Sequence, residues 1–268
     1  MRVVGVKAKR PADGLPGTDS QWLLTRFACR LRFLTIGLLM RCRAMRSRFF
    51  LFTLLGICCS TISLAQSSAT STPSQATETR KTSQPYTGDL SVFDSPGRAE
   101  RLQVDRVMDL LQITTGKAVA DIGAGSGWFT LRAARRVTPS GTVFAVDINP
   151  EATKYIEQRS QQENLHNVQV ILSQPDDPKL PPNAVDAVLL LKTYHEVEHP
   201  VTLLRNLRVS LKPGARVGII DRKGNGENHG VNRDVVIREA VEAGYVVEQQ
   251  LDWKHDGMDY FLILGVRD

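Results

Sequence analysis

The 268-residue chain is 42% hydrophobic and 23% charged, a composition that excludes a wholly disordered protein, a collagen-like repeat and a multi-span membrane protein. Its formal net charge of +6 would suggest a nucleic-acid partner if the charge were spread evenly. Residues 1–48, however, carry 11 Lys and Arg against 2 Asp and Glu, which leaves 23 basic and 26 acidic residues for the remainder. The basic character therefore belongs to the N-terminal leader, and we expect no nucleic-acid partner.

The cysteines are confined to the same end of the chain, since Cys29, Cys42, Cys58 and Cys59 all precede residue 60. The cysteine-free remainder excludes a disulfide framework, a thiolate zinc site and a cysteine nucleophile in that part of the protein.

Residues 45–65 have the layout of a secretory signal peptide. A basic start at residues 46–48 is followed by an apolar run over 49–62 and a small-x-small end over 63–65, which predicts cleavage after Ala65. The apolar run is shorter than the ~20 residues of a typical transmembrane helix, and an uncleaved anchor is the alternative. We therefore predict an exported or periplasmic protein, attached to a membrane only if the leader stays uncleaved, with a cytoplasmic location as the remaining alternative.

The segments on either side of this leader show no packing pattern. Residues 1–44 are Arg-rich without a sustained period. We interpret them as a segment that is not made, with translation starting at Met45 or Met40, or alternatively as a disordered basic arm. Residues 66–88 are rich in Ser, Thr, Gln and Pro, which predicts a flexible linker, and the folded domain is predicted to cover residues 89–268.

From residue 98 onward, short apolar runs alternate with helical patterns. A first helix is predicted over residues 98–111, and the apolar runs predict buried strands over 117–122, 142–147, 168–172, 185–191 and 216–221. Continuous Val, Ile and Leu runs are typical of parallel strands that are covered on both faces. A helix over residues 232–243 and two strands over 245–253 and 258–266 follow, which predicts an antiparallel hairpin. The fold class is therefore α/β, with a seven-stranded, mostly parallel sheet, helices on both faces and a C-terminal hairpin.

A glycine loop joins the first strand to the next helix. Gly123, Gly125 and Gly127 alternate between Asp121 and a helix that begins at Trp128. Glycines at such a junction let a ligand approach the backbone, with helix N–H groups facing it. The dinucleotide-binding spacing G-x-G-x-x-G is not met, because Trp128 occupies the position of its third glycine.

The pattern D-x-G-x-G-x-G resembles motif I of class I S-adenosylmethionine-dependent methyltransferases, and the order of elements over residues 98–268 is similar to theirs. The segments VADIGAGSG, AVDI and LKPGARV look most like the small-molecule branch, the methyltransferase type 11 and ubiquinone/menaquinone methyltransferase-like proteins. The resemblance implies a Rossmann-like fold, S-adenosylmethionine as cofactor and a small-molecule methyl acceptor. It also implies that Asp121 and the three glycines line the cofactor site.

Further cofactor residues carry over from the same resemblance. Asp147 ends the second strand, where a carboxylate can accept hydrogen bonds from both ribose hydroxyls, and its neighbour Ile148 is included in the cofactor site. Asp176, in the loop after the third strand, aligns with the acidic residue near the adenine amine. Asp177 is the alternative for that role.

The string His195-Glu196-Val197-Glu198-His199 matches the H-E-x-x-H motif of zinc peptidases but lacks its context. That chemistry needs both histidines on one face of a helix. Pro200 disfavours helical geometry at His199, and the segment follows a strand. We therefore predict no metal site.

The same segment lies at the carboxyl ends of the strands, where open α/β sheets bind their ligands. Methyl transfer is an in-line displacement, so the protein has to align the acceptor and exclude water. If the acceptor is a hydroxyl, an enol or an acidic carbon, a base must remove its proton. His195 is the candidate, since histidine ordinarily titrates near neutral pH, with Tyr194 beside it. The structural alternative is that His195 and Glu196 bond the loop backbone or each other, and that Tyr194 covers the pocket.

Two other classes of function are also open. S-adenosylmethionine is a cytosolic cofactor, so an exported protein of this fold would be short of it, and an exported, non-catalytic module that binds a nucleoside-like ligand is the alternative. A nicotinamide-dependent oxidoreductase is the third hypothesis. The glycine spacing and the terminal hairpin oppose it.

Overall fold

The computed structural model describes residues 80–82 and 86–266, and every structural statement below concerns those residues. The helices are α1 (Arg98–Leu102), α2 (Val104–Leu110), α3 (Trp128–Val137), α4 (Pro150–Gln162), α5 (Pro200–Val209) and α6 (Arg233–Glu242). The strands are β1 (Ala118–Ile122), β2 (Thr142–Asp147), β3 (Val168–Leu172), β4 (Val185–Leu191), β5 (Leu211–Asp221), β6 (Tyr245–Asp252) and β7 (Tyr260–Val266). Two short 3-10 turns cover Leu90–Asp94 and Tyr194–Glu196.

The seven strands form one sheet in the order β3-β2-β1-β4-β5-β7-β6. Pairing is parallel from β3 to β5, and β7 is antiparallel to both of its neighbours. The predicted seven-stranded architecture with its terminal hairpin is thus confirmed. The strand order reverses between β1 and β4, so the loops that follow these two strands diverge and leave a crevice at their carboxyl ends.

Burial explains the apolar runs of the central strands. In β1 and β4 every residue except Ala118 and Asp186 is buried, because helices cover both faces of the sheet. The edge strand β6 instead alternates between more buried and more exposed positions, as expected where one face meets solvent. The cores on the two faces are separate clusters, one containing Leu204 and the other containing Trp253.

The helix predicted over residues 98–111 is two helices in the structure, which corrects the prediction. Gln103 adopts the left-handed conformation, with φ 57° and ψ 50°, and separates α1 from α2. Leu102 and Val104 are both buried, although residues two positions apart on a continuous helix lie about 200° apart around its axis. The break turns both side chains into the core.

The strand predicted to begin at residue 216 begins at Leu211 instead. The segment Lys212-Pro213-Gly214 lies within β5, where Gly214 has φ +73° and the register against β4 shifts. Asp186 of β4 anchors this irregular stretch by accepting from Lys212 Nζ at 2.7 Å and from the Ala118 backbone N–H at 2.9 Å. The local sequence has the composition of a turn, and pairing with β4 continues the strand through it.

The leader predicted over residues 45–65 and the segment before it lie outside the described residues. In the described part of the chain, residues 80–82 and 86–266, no helix combines the length and apolar character that a membrane crossing requires. Within the segment predicted as a linker, Arg80 pairs with Glu239 of α6 at 2.9 Å, and the Tyr86 ring packs on Phe93 at 5.1 Å.

The helix break at Gln103 predicts the effect of a glycine substitution. Gln103→Gly should raise the free energy of unfolding by about 1 kcal/mol, because a left-handed conformation costs a residue with a side chain about 1–2 kcal/mol and costs glycine little. Gln103→Ala is the control, since it keeps the unfavourable conformation and removes only the exposed Arg106 contact. Urea unfolding measures both variants. A glycine variant less stable than the alanine variant would contradict the break.

Candidate functional site

A cavity of about 610 Å³ opens at the carboxyl ends of β1, β2 and β4. Its volume falls within the range of roughly 300–1,000 Å³ typical of small-molecule sites. The walls come from the loops after these strands, and Thr82, Tyr86 and Phe93 from the N-terminal side complete them. The cavity therefore occupies the crevice that the reversal of strand order creates.

The three predicted glycines shape the first wall of the cavity. Gly123, Gly125 and Gly127 all have positive φ, at 71°, 56° and 75°. A Cβ atom at Gly123 would collide with the side chain of Thr193, and one at Gly127 would lie 3.0 Å from Ile156 Cγ1. Backbone conformation therefore favours glycine at all three positions, and at Gly123 the space also requires it. Gly123 and Gly125 line the cavity directly.

Asp147 fixes this loop from the end of β2. Its Oδ2 accepts from the Gly125 backbone N–H at 2.8 Å and its Oδ1 accepts from Asn149 N–H at 2.9 Å. Burial raises the pKa of Asp147, and these backbone donors partly oppose that rise. A carboxylate offers about four acceptor positions, so Asp147 retains capacity toward the cavity it lines. Ile148 lines the same wall and is 43% exposed.

Asp121 lies deeper, at the end of β1, and is 2% exposed. Its Oδ2 accepts from Thr130 Oγ1 at 2.6 Å. Burial raises the pKa of Asp121 to about 6, and the negative charge of Asp147 adds to the rise. The cavity thus has two buried carboxylates on neighbouring strands, both of which favour a positively charged ligand group.

The structure does not bring Asp176 or Asp177 to the cavity. The Asp177 carboxylate accepts from the Lys179 backbone N–H at 2.9 Å and pairs with the Lys179 ammonium. Asp176 is held by its carbonyl oxygen, which accepts from Asn206 Nδ2 at 2.8 Å. From this loop Ser173, Gln174, Pro175 and Pro178 line the cavity instead. The sequence pattern therefore located the loop but not the residues of it that line the cavity.

His195 lies on another part of the cavity wall, in the 3-10 turn after β4, and is 3% exposed. Its Nδ1 is 2.9 Å from both carboxylate oxygens of Asp221, and its backbone N–H donates to Asp221 Oδ2 at 3.1 Å. Because Asp221 engages Nδ1, Nε2 is the ring nitrogen left for the cavity that His195 lines. Sequence reasoning missed Asp221, although it ends β5 at the same edge and is therefore a neighbour of any residue that follows β4.

Glu196 and His229 stand next to His195 and line the same cavity. Glu196 Oε1 is 3.8 Å from His195 Nε2, and the ring of His229 meets the ring of His195 edge to face at 5.8 Å. Burial raises the pKa of Glu196 to about 7, against the opposing effect of His195. His195 and Glu196 therefore do approach each other, as the structural alternative expects, but they do so at the wall of the cavity.

Tyr194 points away from the cavity, in contrast to its neighbour. Its hydroxyl donates to Glu239 Oε2 at 2.8 Å, and the Arg80 guanidinium lies over its ring at 5.0 Å. Burial raises the pKa of Tyr194 well above its usual range. Successive side chains of a 3-10 turn project about 120° apart, so only His195 of this pair reaches the cavity.

A third part of the cavity wall is built around Trp128 and two arginines. Arg98 and Arg132 lie over the Trp128 ring at 4.3 and 4.1 Å, and Arg98 also pairs with Asp256 at 3.3 Å. Trp128, Arg98 and Phe93 line the cavity, and the Arg98 guanidinium donates to the Phe93 carbonyl at 2.7 Å. This wall is therefore held by ion pairing and by stacking at once.

Comparison with known proteins bears on this arrangement. Residues 119–214 match a family model described as a methyltransferase domain. The chain is 30% identical over 110 residues to (S)-coclaurine N-methyltransferase from Thalictrum flavum subsp. glaucum, covering 41% of this chain and 30% of that protein. It is 29% identical over 108 residues to demethylmenaquinone methyltransferase from Geobacillus stearothermophilus, covering 40% of this chain and 46% of that protein. The matches thus span less than half the length of these curated relatives.

Solved structures share the fold. A SAM-dependent methyltransferase from Aquifex aeolicus superposes with a TM-score of 0.61 at 24% identity, covering 66% of this chain and 98% of that one. The 4+2-cyclase SpnF superposes with a TM-score of 0.54 at 15% identity, covering 70% and 87%. The cyclase illustrates that this fold by itself does not fix the reaction.

The raised pKa of Asp121 predicts how a neutral replacement changes stability. In the folded protein this pKa lies near 6, above the ordinary 3.8, so ionisation disfavours the folded state and stability falls as pH rises from about 4 to 6. Asp121→Asn, which still accepts from Thr130, should therefore raise the free energy of unfolding by about 1–3 kcal/mol at pH 8 and by little at pH 4. Urea unfolding at both values of pH measures the difference.

Asp177→Asn is the matched control, because contacts with Lys179 lower the pKa of Asp177. Removing that carboxylate should give no stabilisation at either pH. Equal gains at pH 4 and pH 8 in Asp121→Asn would contradict the assigned cause.

Proposed function

We propose that this chain, whose residues 119–214 form a methyltransferase domain of the S-adenosylmethionine-dependent type, transfers a methyl group to a small-molecule acceptor bound in the same cavity. The observation that carries the proposal is the convergence of three features on one cavity: the glycine loop, the carboxylate of Asp147 and the His195 wall. The glycine loop and the Asp147 carboxylate suit a nucleoside ligand, and the wall around His195 provides polar groups for an acceptor.

The part of the cavity wall formed by the glycine loop, Asp121 and Asp147, here called the cofactor wall, fits S-adenosylmethionine by charge and by shape. The glycines with positive φ carry no side chains, which leaves space beside the loop for a ligand. Asp147 retains acceptor capacity for ribose hydroxyls. Asp121 and Asp147 are both buried carboxylates, and a cationic ligand offsets the cost of their ionisation. When bound, S-adenosylmethionine supplies an electrophilic methyl carbon on a positively charged sulfur. We assign the contact with the adenine base to Gln174, which lines the cavity, in place of Asp176.

The part of the cavity wall around His195, here called the acceptor wall, suits a compact organic molecule. Val197 and Leu203 provide apolar surface, and His195 and Glu196 provide polar groups. Such a wall orients the acceptor and limits water, which is the chief protein contribution to a displacement at carbon. The two curated relatives carry names of small organic substrates, coclaurine and demethylmenaquinone, which supports the same class of acceptor here.

Binding of the cofactor provides the first test. Calorimetric titration of the full chain with S-adenosylmethionine and S-adenosylhomocysteine should show one site for each. Asp147→Ala should weaken both by about 10-fold or more, because a hydrogen bond to a charged group contributes about 1.5–3 kcal/mol. Asp177→Ala, at a carboxylate outside the cavity, should bind as the wild type does.

Each result has a defined meaning. Absence of binding to either ligand by a folded wild-type chain would overturn the proposal, and so would equal affinities of the Asp147→Ala and wild-type proteins. Methyl transfer itself is then assayed as release of S-adenosylhomocysteine with panels of phenols, secondary amines and quinols.

We also propose that the chain is exported behind residues 45–65. Fractionation of the producing cells should place the protein outside the cytoplasm, and N-terminal sequencing should find Gln66 first. A retained apolar run would favour the anchored form. Peptides from residues 1–39 in the native protein would contradict the start at Met45 or Met40.

A further inference from the structure

We propose that His195, Glu196 and His229 form a binding site for a divalent transition metal, of the class that zinc represents, on the acceptor wall of the cavity. Nothing in the H-E-x-x-H string predicts this set, because it replaces His199 by a histidine from the loop after β5. The use of the metal rests on the proposed methyl transfer, whereas metal binding can be measured independently of it.

Ligand spacing is the first argument. One ligand atom from each of the three residues lies within 4.8 Å of the others, and His195 Nε2 is 3.8 Å from Glu196 Oε1. Tetrahedral zinc with bonds of about 2.0–2.1 Å holds its ligand atoms roughly 3.3 Å apart. Shifts of about 1 Å would therefore bring the three atoms to bonding distance. His229 is exposed, on the loop after β5.

The environment of His195 is the second argument. Histidines that bind metals almost always direct the other ring nitrogen to a carboxylate or a carbonyl group, which fixes the tautomer and the ring orientation. Asp221 does this for Nδ1 with both oxygens at 2.9 Å, and Asp221 itself is fully buried. It also accepts from the backbone N–H groups of His195 and Arg222, so its position is well determined.

Charge is the third argument. Glu196 and Asp221 both approach the His195 ring, at 3.8 Å and 2.9 Å, so this part of the cavity gathers carboxylates. A divalent cation would offset their repulsion. Lys192 and Arg222 also line the cavity, and their positive charges compete with a metal ion in compensating these carboxylates. Two histidines and one carboxylate with an open coordination position form a set typical of catalytic zinc.

His199 provides a contrast within the same string. It precedes α5 with φ −120°, and it is not one of the cavity-lining residues. The structure therefore separates the two histidines that the peptidase motif would bring together. A metal site at this position depends on His229.

Such a site restricts the methyl acceptor to molecules that bind the metal through an oxygen atom. A divalent metal lowers the pKa of a hydroxyl group that coordinates it, so phenols, enols and catechols become the favoured class. In the transfer, the acceptor O–H bond breaks and its proton passes to water. The oxygen forms the new O–C bond, and the S–C bond breaks with its electron pair remaining on sulfur.

Metal binding by the full chain tests the proposal. All four cysteines are first replaced by serine, because leader thiolates would bind the same metals. After removal of metals with a chelator, Zn²⁺ is titrated calorimetrically and Co²⁺ spectroscopically. We expect one equivalent of each, with the visible spectrum of tetrahedral or five-coordinate Co²⁺. His195→Ala and His229→Ala should each weaken binding at least 100-fold, and Asp221→Asn by about 10–100-fold.

His199→Ala is the matched control and should bind metal as the parent chain does. S-adenosylmethionine affinity and thermal unfolding verify that each variant is folded. Absence of stoichiometric metal in a folded parent chain would overturn the proposal, as would unchanged affinity in both folded His195→Ala and His229→Ala. Cofactor binding without metal binding would reject only the metal site, whereas metal binding without cofactor binding would reject only the methyltransferase proposal.

Discussion

Parallel pairing of β1 with both β2 and β4 determines where the chemistry of this protein is located. Asp121 is in register with Ala145 on one side and with Leu189 on the other, so these three strands end at one edge of the sheet. Right-handed connections carry the chain away from β1 in one direction and away from β4 in the other. The crevice between the diverging loops follows from topology alone, and side chains at strand ends line it.

The carboxylates at this edge differ in how the protein compensates their burial. Asp147 accepts from two backbone N–H groups, whereas Asp121 accepts from one hydroxyl. Asp221 is the best compensated, with an imidazole and two backbone donors. The Glu196 carboxylate has a more distant approach, from His195 Nε2 at 3.8 Å. Because a buried charge is costly unless it is paired, the apo cavity favours ligands that bring positive charge, and a sulfonium cofactor and a divalent metal share that property.

Features set by local sequence were predictable, and features set by distant contacts were not. The alternating glycines and the terminal Asp147 form a local pattern, and the structure brings Gly123, Gly125 and Asp147 to the cavity. The break at Gln103 was missed because glutamine does not signal a left-handed conformation, and the break depends on burying residues on either side of it. The approach of His229 to His195 depends on the pairing of β5 with β4, which no short motif records.

In the turn after β4, the consecutive residues Tyr194 and His195 face different parts of the structure. His195 faces the cavity, while Tyr194 is fixed on the other side by Glu239. Arg80 connects the two, because it donates to Glu239 and to the carbonyl oxygens of Tyr194 and Val197. A residue of the N-terminal segment therefore holds the turn that presents His195. Since Thr82 and Tyr86 also line the cavity, its wall extends N-terminal to Asp89, into the segment that its composition alone would class as a linker.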